Sequence, residues 1–303
     1  MNNTLTILGC GSAMPTIQNS PSGQLLEMSG KQFLIDCGEG IQITLRRMSQ
    51  RINRLDHIFI SHLHGDHCFG LLGLISTLGM LGRTRDLYIH AQADLQRLMQ
   101  PLLDYFCQGM EYKVIFDVIR PNKHVVIYED RTLTVKTIPL KHRVPSCGFL
   151  FEEKPKERHI IKEQMDFYNI PLAAIPALKA GEDYLNSDGK LIENERLTTA
   201  PNPPFRFAYC SDTAYLEKIV PLIQGVDCLY HESTYTDEHA ARAKETQHST
   251  ARQAATIAKL ANVNQLIIGH FSARIDDHLQ FLAEAREVFP NTLLAEERQQ
   301  YKL

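Results

Sequence analysis

Short alternating runs of apolar residues, each closed by a polar or glycine-containing turn, recur along this chain. Thr4 to Leu8, Phe33 to Asp36, His57 to Ser61, Leu87 to His90, Thr132 to Ile138, Gly148 to Phe151, Phe205 to Cys210, Cys228 to His231 and Leu266 to His270 read as strands. Apolar positions at helical spacing fall between them: Ile41, Leu45, Met48 and Ile52, then Leu95, Leu98 and Leu102, then Leu279, Leu282, Ala285 and Val288. Another helix is expected after Thr250, which with Gln253 resembles a capping box ahead of an inner face of Ala251, Ala254, Ala255, Ala258 and Ala261. Strands and helices so interspersed predict an α/β chain whose two sheets are sandwiched between helical layers. With 303 residues, 44% of them hydrophobic, and no Pro/Gly/Ser-rich linker, residues 1–303 are expected to form a single domain. The stretch from Glu152 to Pro204 differs in texture: charged residues give way to Asn169-Ile170-Pro171, Gly181 and the hairpin-like Asn186-Ser187-Asp188-Gly189.

The strand at 57–61 runs straight into His62-Leu63-His64-Gly65-Asp66-His67. Three imidazoles and a carboxylate packed this closely are expected to hold metal, because neutral imidazole beside carboxylate suits borderline divalent ions such as zinc. A turn lets His62 and His64 reach one ion while Asp66 and His67 point to a neighbouring position, so two ions are inferred. More ligands are then required, and other strands end in them: His142 follows Thr132 to Ile138, Asp212 follows Phe205 to Cys210, and His270 follows Leu266 to Ile268. Singly, these are ordinary core histidines and a turn aspartate. Together they complete two shells, and Asp212 is suited to bridge because a carboxylate has two oxygens to share.

The segments Leu8-Gly9-Cys10-Gly11-Ser12 with Pro15-Thr16, Ile35-Asp36-Cys37-Gly38-Glu39, Ser61-His62-Leu63-His64-Gly65-Asp66-His67, Ser211-Asp212-Thr213, His231-Glu232-Ser233-Thr234, His248-Ser249-Thr250 and His270-Phe271-Ser272-Ala273-Arg274 resemble the metallo-β-lactamase-fold hydrolases, and among them the ribonuclease Z family. The resemblance spans nearly the whole chain. It implies a four-layer αβ/βα sandwich of two mixed β-sheets flanked by helices, and a zinc-dependent endoribonuclease that removes the 3′ trailer of precursor tRNA, leaving a 3′-hydroxyl. It further implies that His62, His64 and His142 hold one zinc, that Asp66, His67 and His270 hold the other, and that Asp212 bridges them. Asp66 then accepts a proton from the attacking water, and His248, steered by Glu232, acts near the scissile phosphate. The insertion at about 152–204 corresponds to the family's tRNA-gripping arm, and a homodimer is expected. Two positions depart from the family pattern: Leu172-Ala173-Ala174 stands where the arm often carries Gly-Pro, and Gln18-Asn19 where Arg-Asn is usual.

Charge adds little, since a net −3 does not advertise a polyanion partner. Arg46, Arg47, Arg51 and Arg54 form one acid-free stripe, which a solvated helix face explains equally well. Seven scattered cysteines without a Cys-x-x-Cys pair, and an N-terminus that enters a strand without a leader, predict a cytoplasmic protein with free thiols. Gly9-Cys10-Gly11 lacks the third glycine of a dinucleotide loop, with Met14 there instead. The remaining alternatives are a phosphodiesterase or sulfatase of the same fold acting on small substrates, and a silent RNA-binding scaffold.

Overall fold

A computed structural model describes residues 3–303. The chain divides into two compact units, one running up to Glu152 and resuming at Arg206–Leu303, the other being Glu153–Phe205.

The larger unit contains two seven-stranded mixed sheets. In spatial order the first is Gln300–Lys302, Thr4–Gly9, Gly23–Met28, Lys31–Ile35, Leu55–Phe59, Leu87–Ala91 and Val114–Val118. The second is Thr292–Leu294, Gln265–Gly269, Cys228–Glu232, Arg206–Cys210, Cys147–Glu153, Leu133–Pro139 and Val126–Glu129. Aromatic rings join the facing sheets: Phe33 lies 5.5 Å from Phe151, and Phe59 lies 5.4 Å from both Phe149 and Phe151. Rings of this size bury much apolar area, and their tilted approach suits aromatic quadrupoles. The outer face of the first sheet packs Leu34, Ile58 and Ile89 against Leu45, Leu74, Leu78 and Leu95 of its helices. On the second sheet lie Ala251–Leu260 and Leu279–Val288. The first of these helices starts with the expected capping box, Thr250 accepting from the Gln253 backbone N–H while the Gln253 side chain accepts from that of Thr250. Its alanine face is fully buried.

Strands Leu55–Phe59, Arg206–Cys210, Cys228–Glu232 and Gln265–Gly269 all take part in parallel pairings. Ligands in α/β sheets gather beyond the carboxyl ends of parallel strands, and that is where the His62–His67 segment, Asp212, Glu232 and His270 emerge. The His62–His67 segment is pressed against the end of Lys31–Ile35: Cys37 donates its N–H to the His67 carbonyl at 2.8 Å, and Gly70 donates to the Cys37 carbonyl at 2.9 Å. No side chain fits between the two, since a Cβ on Gly70 would stand 2.0 Å from the Gly38 carbonyl oxygen.

The arginine stripe does not form one helical face. The helix Ile41–Arg47 stops because Ser49 adopts φ 53, and Arg54 lies in a separate turn, Ile52–Arg54, donating to the Gly30 carbonyl.

The unit Glu153–Phe205 has a small core of its own: Met165, Ile170, Leu178, Ile192 and Leu197. Tyr184–Leu185 pairs antiparallel with Leu191–Ile192 around Asn186-Ser187-Asp188-Gly189, where Gly189 takes φ 75. Buried Asn194 donates to the Leu178 and Glu182 carbonyls at 2.8 and 2.7 Å, tying the hairpin to the helix Ile175–Ala180.

His57 and His90 serve packing. The His90 ring stacks on Phe59 at 4.4 Å, and its Nε2 lies 3.1 Å from Nδ1 of His57, with Tyr88, Tyr128 and Asp117 around them. Burial pushes His90 down to about 3 and His57 down to about 4, although Asp56 and Asp130 favour the charged form of His57 and Lys31 and Arg83 oppose it. Both folded values lie below the ordinary histidine value of about 6.5, so the unfolded chain binds protons that the folded chain does not. The stability from this pair is therefore complete above pH 6.5 and declines as pH falls through 4 toward 3. His90→Phe, which keeps the ring stack, is expected to flatten the dependence of the urea midpoint on pH between 6.5 and 4.5. Identical slopes for variant and parent would refute this.

Candidate metal centre

Donor atoms from His62, His64, His142 and Asp212 lie within 4.8 Å of one another, and those of Asp66, His67 and His270 do likewise. In the first group, His62 Nε2 is 3.0 Å from His64 Nδ1 and 3.4 Å from Asp212 Oδ2, while His142 Nε2 is 3.4 Å from His64 Nδ1 and 3.7 Å from Asp212 Oδ2. In the second, His67 Nε2 is 3.3 Å from His270 Nε2, and Asp66 Oδ2 is 3.4 and 3.5 Å from the two. Asp212 joins them: its Oδ2 faces the first group while its Oδ1 lies 3.5 Å from His67 Nε2 and 3.2 Å from His270 Nε2. A tetrahedral ion with metal–nitrogen bonds of 2.0–2.1 Å spaces its ligand atoms about 3.3 Å apart. The donor spacing therefore fits divalent metal in both groups.

The outer nitrogens fix which lone pairs face inward. His142 Nδ1 donates to the Gln247 carbonyl at 3.0 Å and His67 Nδ1 to Asp36 at 2.8 Å, leaving each Nε2 free as a ligand. The Thr234 hydroxyl donates to Glu232 at 2.8 Å and lies 3.0 Å from His270 Nδ1, from which it accepts. Burial pushes the His62 and His64 imidazoles down, helped by their neighbouring histidines, and takes His142 to about 4. Neutral imidazole is the ligating form. Burial opposes charge at Asp212 and Asp66 as well, yet the surrounding histidines hold both carboxyls well below the usual carboxylate range.

His248 stands beside this cluster, its Nε2 3.9 Å from Asp212 Oδ2 and its Nδ1 2.9 Å from Glu232 Oε1. Although burial disfavours its charge, Glu232 and Asp212 raise it to about 9. Glu232 is fully buried and accepts from the backbone N–H groups of Thr213, Thr234 and Ser249 at 3.0, 2.9 and 3.1 Å. A carboxylate so satisfied holds one ring orientation of His248. His231, from the same strand as Glu232, does not join the cluster; its Nδ1 donates to the Glu232 carbonyl.

A protein from Phocaeicola vulgatus named Ribonuclease Z is 56% identical to this chain over 291 residues, which make up 96% of this chain and 94% of that one. This chain belongs to the ribonuclease Z family. A Ribonuclease Z from Parabacteroides distasonis is 53% identical over 293 residues, covering 97% and 96% of the two chains. The chain also falls within the family whose model, described as Anti-Pycsar protein Apyc1, matches residues 3–167. Human tRNase Z, short form, superposes with a TM-score of 0.71 at 24% identity, covering 99% of this chain and 98% of that one. The metallo-beta-lactamase fold protein YhfI from Bacillus subtilis does so with 0.69 at 18% identity over 100% of both chains. The fold is the metallo-β-lactamase fold.

Within this ribonuclease Z scaffold, Asp36 was not singled out from the sequence as a site residue. It is fully buried, adopts φ 57, and accepts from the Ser61 N–H and hydroxyl and from the Tyr209 hydroxyl at 2.8–2.9 Å while receiving His67 Nδ1–H. The available signal was a carboxylate closing the buried strand Lys31–Ile35, a position too apolar for an unpartnered acid. Ala13 was missed too; its backbone N–H donates to Asp66 Oδ2 at 2.8 Å, aiming that carboxylate. Asp36, His270, Gln247 and Ala13 all hold left-handed backbone, a concentration typical of sites where strain is kept for function.

Proposed function

We propose that this chain is a zinc-dependent endoribonuclease that removes the 3′ trailer from precursor tRNA and leaves a 3′-hydroxyl on the tRNA. The observation that carries this is the Asp212 carboxylate, with one oxygen in each of two metal-type donor groups, beside a histidine–glutamate pair, in a member of the ribonuclease Z family. In this reading His62, His64 and His142 would hold one zinc ion per subunit, Asp66, His67 and His270 would hold a second, and Asp212 would offer an oxygen to each group. When bound, such ions supply Lewis acidity toward a phosphodiester and its attacking water.

The chain's own groups do the rest. Asp66, aimed by the Ala13 N–H, orients the attacking water and takes its proton. His248, its Nδ1 paired with Glu232, passes a proton from Nε2 to the departing 3′ oxygen. Glu232 then stabilises the correct tautomer of the neutral ring.

The unit Glu153–Phe205 is proposed as the arm that captures the tRNA, and the protein as a cytoplasmic homodimer. Supporting these are exposed Leu98, Leu102, Tyr105 and Phe106 on one helix, an apolar face suited to a second copy, and seven free cysteines. Among the described residues no helix is long and apolar enough to cross a membrane. The purified protein should shorten a 3′-extended tRNA precursor to a 3′-hydroxyl end. Replacing about Lys156 to Leu197 by a short Gly/Ser linker should depress that activity far more than hydrolysis of bis(p-nitrophenyl) phosphate, because remote contacts position the substrate. Equal losses would make the segment a support of the core, and a parent protein that cuts only the small ester would overturn the tRNA reading.

A further inference from the structure

Phe69 is an apolar side chain that is 75% exposed, two residues beyond His67. Single exposed aromatics are common on surfaces and need no role. Three features separate this one. First, its ring lies directly on Gly65: a Cβ there would meet ring atoms at 2.3–2.8 Å, so only glycine lets the ring rest on the backbone of the His64–His67 segment. The ring is thus supported on one side and open on the other. Second, it lines a cavity of about 420 Å³ that also takes in His64 and Asp66, within the size range of small-ligand sites. Third, the same cavity includes Arg143, the residue after His142, whose exposed guanidinium has no partner among the described residues. Two carboxylates also line it: Asp66, which belongs to the donor group described above, and Glu39, an acceptor suited to the amino or imino groups of a base, not to phosphate.

We propose that Phe69 is a stacking platform for the nucleobase next to the scissile phosphodiester, with Arg143 contacting the adjoining phosphate. The ligand class is a nucleotide of unpaired RNA. Bases splayed from a single strand stack on aromatic rings without regard to sequence, and a cation beside the ring follows the backbone. The proposal rests on the ribonuclease reading and adds to it a subsite that holds the strand's end over the metal groups.

The test uses the full-length, metal-loaded protein and three esters: thymidine 5′-(p-nitrophenyl phosphate), thymidine 3′-(p-nitrophenyl phosphate) and methyl p-nitrophenyl phosphate. The two thymidine esters place a base on either side of the reacting phosphorus; the methyl ester has none. In Phe69→Ala and Phe69→Leu, kcat/KM for one thymidine ester relative to the methyl ester should fall about tenfold, within the range of base–aromatic stacking. Phe69→Trp should retain the parent ratio, because it restores a π-face that leucine lacks. Arg143→Gln should raise KM for precursor tRNA more than it lowers kcat. An unchanged ratio in Phe69→Ala, or an equal fall for all three esters, would overturn the proposal. Failure of the parent protein on precursor tRNA would instead sink the ribonuclease reading, leaving the ester comparison to stand or fall alone.

Discussion

Asp212→Ala is expected to lower phosphodiester hydrolysis by at least about a thousandfold while the protein remains folded. Its two oxygens contact both donor groups, His62 and His142 through Oδ2 and His67 and His270 through Oδ1, so one substitution opens both. Metal supplies several kcal/mol of transition-state charge stabilisation, and each 1.36 kcal/mol is a factor of ten in rate. Elemental analysis should find metal depleted, and circular dichroism should match the parent, because the two sheets and their inter-sheet rings are independent of this carboxylate. His64→Ala, at a half-buried position, should reproduce the loss with less effect on packing. Near-parental turnover in verified metal-free protein would end the metal-centre reading.

His248→Ala should cost turnover about tenfold to a hundredfold, with metal content unchanged. His248 Nε2 is 3.9 Å from Asp212 Oδ2, its Nδ1 is engaged by Glu232, and its donor atom lies within 4.8 Å of those of Asp212 and His270, so metal content is the readout that separates an acid from a ligand at this position. Glu232→Gln should produce a smaller loss in the same direction, since the amide still orients the ring but no longer stabilises its charge. Metal lost in proportion to activity would make His248 a ligand and remove it from the proton path.

Much of this was legible in the sequence because the strands obey alternation and the site lies at their ends. Leu55–Phe59, Arg206–Cys210, Cys228–Glu232 and Gln265–Gly269 were all foreseen within a residue or two, and each leads directly into residues of the cluster. The strand Gly23–Met28 escaped because it is buried on both faces, so Gln24 and Glu27 interrupt an apolar run without marking a period. Val114–Val118, half-exposed along most of its length, escaped for the opposite reason. Asp36 escaped as a site residue because its role depends on partners 25, 31 and 173 positions away, brought together by a left-handed turn that local patterning does not encode. The arginine stripe failed on another left-handed residue, Ser49.

The strand Gln300–Lys302 pairs with Thr4–Thr6, and Leu303 donates its N–H to the Asn3 carbonyl at 2.9 Å. During synthesis, the first sheet therefore waits for Gln300–Lys302 to leave the ribosome before this edge is covered. The cluster is spread in the same way: His62 to His67 emerge early, and His270 only after some two hundred further residues. At translation speeds of about 5–20 residues per second, the nascent chain spends ten seconds or more with both donor groups begun and the second still lacking His270. A growing polypeptide in that interval exposes an unpaired edge strand and three histidines to whatever metals and chaperones surround it, so ribosome pausing between residues 67 and 270 should affect yield of active protein more than pausing before residue 62.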